Sequence, residues 1–138
     1  MTPIVIDASV AVKWFLRDSN EERHSTEAVQ YLHSSGSGEV HFIQPPHFFA
    51  EVAAVLARLK PQAADADIAD LMSLQFTVLD NDDLYRTAGR LSVQLEHHLF
   101  DTMYHAAALA VSDASLITAD RRYYRKASHL GAIRLLGA

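Results

Sequence analysis

Residues 3–16 read PIVIDASVAVKWFL, and this stretch decides the fold class. Residues 3–6 are apolar and rich in β-branched side chains, which predicts a short buried strand that ends at Asp7. Apolar residues then recur at helical spacing from Ala8 to Leu16, which predicts a helix directly after the strand. A buried strand followed at once by a helix is typical of the βα units that build parallel sheets.

The alternation of strands and helices continues to the end of the chain. The pattern predicts further strands at residues 40–43, 76–79, 116–118 and 133–136, and helices at residues 21–32, 45–60, 64–74, 83–96, 100–111 and 121–129. Residues 34–38, SSGSG, have the composition of a loop. The sequence therefore predicts an α/β fold in which a mainly parallel sheet carries helices on both faces. In such sheets ligands bind beyond the carboxyl ends of the strands.

The length and composition fit one globular domain that spans residues 1–138. Hydrophobic residues make up 49% of the chain and charged residues 21%, which excludes wholesale disorder. The absence of cysteine excludes disulfides, a thiolate zinc site and a cysteine nucleophile. No apolar run is long enough to span a bilayer, and the opening MTPIVIDAS lacks the basic start of a signal peptide. We therefore expect a cytoplasmic protein without membrane contact.

Charge is distributed unevenly along the chain. The formal net charge of −5 argues against a protein that holds nucleic acid by a bulk positive field. Residues 121–138, however, hold five of the 12 basic residues and none of the 17 acidic ones. Arg121, Arg122 and Arg125 thus predict a local basic patch, and a solvated helix face explains the same residues equally well.

Two aspartates follow predicted strands. Asp7 ends the first strand, and Asp120 closely follows the strand at residues 116–118. If these strands are neighbours in a parallel sheet, both carboxylates lie at the same edge and converge. Each aspartate is also a preferred N-cap for the helix that follows it, and this structural role would explain either residue alone.

Two further carboxylates lie on predicted helices. Glu51 stands inside a helix at the edge of its apolar face, where burying a charge without a partner is costly. The alternative is a surface glutamate whose aliphatic stem alone is covered. Asp101 stands near a helix start, where it can complement the helix dipole, yet it also lies beside the apolar stripe of that helix.

Four carboxylates that face one cleft would repel each other, and a divalent cation resolves that repulsion. Mg²⁺ takes oxygen ligands and commonly pairs with substrate phosphates, and a donor set without cysteine points to a hard metal rather than zinc. The chemistry that follows is water attack on a phosphodiester, because a bound metal acidifies water and stabilises charge on phosphate oxygens. The hydroxyls of Ser9 and Thr118 flank the predicted site and could bind a metal water or a phosphate.

Other motifs fit less well. The chain has no GxGxxG, no P-loop and no GxSxG elbow. His97, Asp101 and His105 stand at i, i+4 and i+8 and form an alternative transition-metal set, although the helix is expected to begin after His97. A receiver-like phosphoacceptor domain would need a lysine at the end of its last strand, whereas Lys126 falls inside a predicted helix.

Four segments, taken together, resemble one known family. They are IVIDASVAVKWF (4–15), PPHFFAEVAAVLARL (45–59), HLFDTMYHAAALAV (98–111) and SLITADRRYY (115–124). In this order they resemble a PIN domain, and in particular the VapC-type toxins of toxin–antitoxin pairs, over essentially the whole chain. The resemblance implies a three-layer sandwich around a five-stranded, mainly parallel sheet. The family's metal-binding acids match Asp7, Glu51, Asp101 and Asp120, and its small hydroxyl positions match Ser9 and Thr118.

The resemblance also implies an activity and its partners. The activity is metal-dependent endoribonuclease cleavage with Mg²⁺ or Mn²⁺, in which a metal-activated water hydrolyses RNA. The basic patch of this sequence, rather than the resemblance, predicts that Arg121, Arg122 and Arg125 contact the RNA backbone. The implied partners are a cognate small antitoxin, RNA as substrate and a second copy of the chain in a homodimer, with DNA reached only through the antitoxin. The alternative is a catalytically silent PIN module that binds RNA or protein.

Overall fold

A computed structural model describes residues 1–16 and 23–138. The strands are β1 (Thr2–Ile6), β2 (Val40–Gln44), β3 (Phe76–Val78), β4 (Ser115–Thr118) and β5 (Ile133–Leu135). The α-helices are α1 (Ala8–Ala11), α2 (Ser25–Gly36), α3 (Phe48–Leu59), α4 (Ala64–Ser73), α5 (Asp82–Leu95), α6 (Leu99–Ala110) and α7 (Arg121–Ala127). Two 3₁₀ turns, Val12–Trp14 and Ser128–Leu130, continue α1 and α7. The predicted order of strands and helices is therefore confirmed.

The five strands form one sheet in the order β3-β2-β1-β4-β5, and every pairing is parallel. Ile4, Val5 and Ile6 of the central strand have no exposed surface. Because successive side chains of a strand point to opposite faces, helices cover the sheet on both sides, as the α/β prediction required. The chain runs from β1 to β2 on one side and later enters β4 on the other, which places the switch point of the sheet between β1 and β4.

The α2 helix corrects two predicted boundaries. The loop expected at residues 34–38 is wrong in its first half, because α2 runs to Gly36. Glu39 N–H donates to the Ser34 carbonyl at 2.9 Å and Gly38 N–H to the Ser35 carbonyl at 3.2 Å, while Gly38 adopts φ +83°. This is a Schellman ending, in which glycine takes the left-handed conformation just past the helix. The expected start at residue 21 lies outside the described residues, and α2 begins at Ser25 after a turn at Arg23 and His24.

Two other helix predictions change at their ends. The helix expected from Ala8 to Leu16 is an α-helix only to Ala11 and then tightens into the 3₁₀ turn, where the Trp14 indole donates to the Ala28 carbonyl at 2.9 Å. The helix expected to open at Pro45 begins at Phe48 instead. A proline disfavours the helical conformation of the residue before it, so the Pro45–Pro46 pair delays the helix. Within the described residues, no helix is long and apolar enough to cross a bilayer.

Candidate functional site

The carboxyl ends of β1 and β4 bring Asp7 and Asp120 to one edge of the sheet. Ile6 pairs with Ile117, and the Asp7 N–H donates to the Ile117 carbonyl at 3.0 Å. Asp7 is the N-cap of α1, and Asp120 caps α7 by accepting the Tyr123 N–H at 3.0 Å. The two readings of these aspartates are thus compatible, since capping fixes each carboxylate at the switch point of the sheet.

The hydroxyls of Ser9 and Thr118 hold the Asp7 carboxylate. Ser9 donates to Asp7 Oδ2 through a short hydrogen bond, and Thr118 donates to the same oxygen at 3.2 Å. Ser9 Oγ also accepts the Ala119 N–H at 3.0 Å, and Thr118 Oγ1 accepts the Asp120 N–H at 3.1 Å. The two hydroxyls therefore join the end of β1 to the loop after β4 and orient both aspartates.

Asp101 reaches the same edge from the first turn of α6. Its Oδ2 lies 2.6 Å from His97 Nε2 and 3.4 Å from His98 Nε2. A narrow cleft lies between the three aspartates. The cleft is lined by Asp7, Asp101, Leu116, Thr118, Asp120 and Tyr123. Three of the four predicted acids therefore share one cavity.

Glu51, the fourth predicted acid, lies on the first turn of α3 and contacts α6 through Tyr104. The hydroxyl of Tyr104 donates to Glu51 Oε1 at 2.6 Å, and His47 Nε2 lies 3.3 Å from the same oxygen. Tyr104 belongs to α6, three residues after Asp101, and has no exposed surface. The glutamate predicted at the edge of an apolar face is thus half-buried and has specific partners.

The electrostatics show that these acids face each other. Burial raises the pKa of Asp7 to about 6, and the charges of Asp101 and Glu51 add to the rise, although the hydrogen bonds of Ser9 and Thr118 oppose it. Burial also acts to raise the pKa of Glu51, but hydrogen bonds from His47 and Tyr104 outweigh burial and leave that pKa below its ordinary value. Burial and the charges of Asp7 and Glu51 raise the pKa of Tyr104 far above its usual range, so its hydroxyl remains a donor.

Gln44 fixes the backbone just before Asp7. Its side-chain Oε1 accepts the Ile6 N–H at 2.8 Å, and its Nε2 donates to the Ile6 carbonyl at 2.8 Å. The Gln44 side chain is completely buried. On the β2 side of Ile6, the side-chain amide of Gln44 thus makes the hydrogen bonds that a strand backbone would otherwise make. On the β4 side, the Ile117 carbonyl accepts the Asp7 N–H.

The donor set fits a hard divalent cation. The cleft presents carboxylate oxygens, and burial together with the charges of Asp101 and Glu51 raises the pKa of Asp7. Oxygen donors of this kind are the ligands that Mg²⁺ and Mn²⁺ take in proteins. Asp7, Asp101 and Asp120 could hold such an ion, and Glu51 adds negative charge from the adjacent surface formed by α3 and α6.

The basic residues lie next to this cleft on α7. Arg121, Arg122 and Arg125 are all exposed, and the first of them directly follows Asp120. Lys126 lies in the same helix, so the poor fit to a receiver-like domain that the sequence indicated remains.

Sequence reasoning missed the residues that act across elements. His47 and Tyr104 bond Glu51, and His98 joins His97 beside Asp101. The sequence signals for the two histidines were the spacing of four residues between His47 and Glu51 and of three residues between His98 and Asp101. The alternative set with His105 is wrong, because His105 is buried and its two ring nitrogens meet the Tyr123 hydroxyl at 2.9 Å and the Gly131 carbonyl at 2.8 Å.

Comparisons with known proteins agree with this architecture. The family model of the PIN domain matches residues 4–128. A search of curated proteins found no match. Among solved structures, VapBC2 from Rickettsia felis bound to a promoter DNA fragment superposes with a TM-score of 0.69 at 13% identity, covering 96% of this chain and 98% of that one. VapBC-1 from nontypeable Haemophilus influenzae gives 0.66 at 16% identity over 99% of both chains. A toxin–antitoxin complex from Klebsiella pneumoniae gives 0.64 at 15% identity over 95% of both.

Proposed function

The chain belongs to the PIN domain family, and we propose that it is a metal-dependent endoribonuclease that acts as the toxin of a toxin–antitoxin pair. One observation carries the proposal. Three carboxylates from separate parts of the chain, Asp7, Asp101 and Asp120, line one cleft at the switch point of the sheet. Capping alone explains Asp7 and Asp120 singly, but it does not explain why Asp101 is brought to them at an electrostatic cost.

In this proposal each acidic residue has a stated task. Asp7, Asp101 and Asp120 hold Mg²⁺ or Mn²⁺, and Glu51 adds negative charge to the same site. The bound cation supplies Lewis-acid chemistry, which makes water a better nucleophile and stabilises charge on phosphate oxygens. Ser9 and Thr118 keep Asp7 in place through hydrogen bonds from neutral hydroxyls. Tyr104 stabilises Glu51 as an ionised carboxylate by donating a hydrogen bond from its hydroxyl.

The RNA substrate would approach along α7. Arg121, Arg122 and Arg125 are exposed, and they follow the acidic cleft in the chain. Arginines contact phosphates without reading sequence, so they would position the RNA backbone rather than choose the cleavage site. This local basic surface would offset the net charge of −5, which repels RNA from the rest of the molecule.

The proposed partners follow from the similar solved structures. Those structures are toxin–antitoxin complexes, and one is bound to promoter DNA. We extend that assembly to this chain, with a small antitoxin as its partner, a homodimer as its own state, and DNA contacted through the antitoxin.

Cleavage of RNA by the purified chain tests the proposal. We expect hydrolysis of a mixed RNA pool with Mg²⁺ or Mn²⁺, none with EDTA, and a loss of roughly 10²–10³-fold in the Asp7→Asn variant, since asparagine keeps the cap but removes a charge. The matched control is Asp113→Asn, an exposed aspartate in a turn, which should cleave like the wild type.

Two results would contradict this proposal. Cleavage that persists in Asp7→Asn would mean that the carboxylate cluster does not catalyse the reaction. Binding of RNA without cleavage in either metal would instead favour the catalytically silent module.

A further inference from the structure

Two adjacent histidines flank the acidic cleft where α6 begins. His97 Nε2 lies 2.6 Å from Asp101 Oδ2, and His98 Nε2 lies 3.4 Å from the same oxygen. The two imidazole rings are stacked, with centroids 5.0 Å apart. One donor atom from each of the three residues lies within 4.8 Å of the others. Two nitrogens and one oxygen are therefore gathered around a single point.

This donor set has a different chemistry from the carboxylates of the cleft. Imidazole nitrogen suits Zn²⁺, Co²⁺ and their neighbours, whereas Mg²⁺ takes oxygen ligands. Two imidazoles and one carboxylate form a zinc set in which a fourth position stays open for water or an anion. Ligands at the usual Zn–N and Zn–O distances stand roughly 3.3 Å apart in a tetrahedron. The separation of 3.4 Å between His98 and Asp101 matches that spacing. The 2.6 Å separation of His97 and Asp101 is shorter and would have to lengthen for an ion to replace the shared proton.

The surroundings support His97 as a fixed ligand and His98 as an accessible one. The side chain of His97 is only 8% exposed and packs edge-on against the Tyr123 ring, whereas that of His98 is 70% exposed. The site thus has one rigid wall, formed by His97 and Asp101, and an open side through which an ion can enter.

One neighbour opposes cation binding. Lys126 Nζ lies 3.4 Å from His97 Nδ1 and donates to the Glu96 carbonyl at 3.1 Å. Its positive charge lowers the affinity for any cation held by His97 Nε2. The arrangement therefore makes a further prediction, because removal of this charge should strengthen metal binding.

We propose that His97, His98 and Asp101 form a binding site for a transition-metal ion of the Zn²⁺ class, on the nitrogen-bearing flank of the acidic cleft. The site selects such ions over Mg²⁺ through its two imidazoles. The site shares Asp101 with the proposed Mg²⁺ cluster, but the two imidazoles belong to it alone, so metal binding by the histidines is tested separately from RNA hydrolysis.

Titration of the purified protein with Co²⁺, followed by its visible absorption, tests the site. We expect ligand-field bands in the wild type that Zn²⁺ abolishes and a tenfold excess of Mg²⁺ leaves in place. His98→Ala should weaken Co²⁺ binding at least about tenfold, because even losing a supporting partner of a metal ligand costs that much. His33→Ala, an exposed histidine on α2, is the matched control and should bind like the wild type.

Two more variants separate this site from the carboxylate cluster. Asp7→Asn should keep the Co²⁺ spectrum, and Lys126→Met should bind Co²⁺ more tightly than the wild type. Equal binding by His98→Ala and the wild type would overturn the proposal. So would displacement of Co²⁺ by Mg²⁺, or a loss of binding in Asp7→Asn as large as that in His98→Ala, since either result would place the ion on the carboxylates alone.

Discussion

Asp7 and Glu51 belong to one acidic cluster, yet their surroundings act on them in opposite directions. Asp7, at the end of β1, is buried among other carboxylates and is held by neutral hydroxyls, and its pKa rises to about 6. Glu51, on the wall formed by α3 and α6, receives hydrogen bonds from His47 and Tyr104, and its pKa falls. Ionisation is therefore disfavoured for Asp7 at the sheet edge and favoured for Glu51 on the wall formed by α3 and α6.

The direction of the pKa shift separates the carboxylate that destabilises the fold when ionised from the one that stabilises it. A carboxyl group whose pKa is raised by folding destabilises the native state once it ionises, whereas one whose pKa is lowered adds stability when ionised. By this criterion, the charge of Asp7 does not stabilise the fold, which agrees with the role proposed for this residue at the metal site.

The largest effect expected from this comparison concerns Asp7 without metal. The folded pKa of about 6 exceeds the ordinary aspartate value of 3.8, so the native state favours the protonated form. Stability is fully present below pH 4 and is lost as the pH rises through about 6. In EDTA at pH 8, Asp7→Asn should therefore be more stable than the wild type by about 3 kcal/mol, or roughly 10 °C in Tm. Thermal melting from pH 3.5 to pH 8 measures the effect.

The matched variant for that experiment is Glu51→Gln, for which the sign reverses. The pKa of Glu51 is lowered by folding, so its contribution is present above its unfolded pKa and is lost as the pH falls through the folded value. The substitution should destabilise the protein at pH 8 and have less effect in acid. If both variants shifted Tm in the same direction at pH 8, the contrast between edge and wall would be wrong.

A smaller effect is expected at Tyr104, whose substitution tests whether its hydroxyl stabilises the Glu51 carboxylate. Tyr104→Phe removes the donor to Glu51 and leaves the ring in its buried position, so we expect a loss of about 1 kcal/mol in the free energy of unfolding. The pKa of Glu51, followed by carboxyl NMR shifts, should rise. Tyr124→Phe changes a half-buried tyrosine of α7 and should leave the Glu51 titration as it is in the wild type.

The smallest effect is expected at Thr118, on the side of the sheet edge. Thr118→Val keeps the shape of the buried side chain but removes a 3.2 Å hydrogen bond to Asp7 Oδ2 and the acceptor of the Asp120 N–H. Since that hydrogen bond lowers the pKa of Asp7, the variant should titrate Asp7 slightly higher than the wild type. An Asp7 pKa that moved down instead would show that the hydroxyl does not donate to this carboxylate.

The sheet edge was largely predictable from sequence, and the wall was not. Asp7 and Asp120 follow strands that are visible as short apolar runs, and a parallel sheet aligns the ends of neighbouring strands. Glu51 and Asp101 were identified as unusual carboxylates, but the bond from Tyr104 to Glu51 joins residues 53 positions apart. Such a contact depends on how α6 packs against α3, which local periodicity does not encode.

The errors at helix ends have a similar origin. Ser34 and Ser35 are common in loops, yet α2 continues through them because the Schellman ending is built by Gly38 and Glu39 further along. The alternative histidine set failed because helical spacing alone does not reveal burial, and His105 is buried against Tyr123. The sequence therefore predicted which segments are helices and strands, but it did not predict burial or packing between them.

The Gln44 amide gives the cluster an anchor that has no charge of its own. It holds both polar groups of the Ile6 backbone, one residue before Asp7. An amide does not titrate between acid and alkaline pH, so this anchor is equally strong whether the neighbouring carboxylates are protonated, ionised or neutralised by a cation. These two hydrogen bonds therefore oppose any displacement of the end of β1 by repulsion within the cluster. In the proposed function, the acidic site would need little reorganisation to bind a cation.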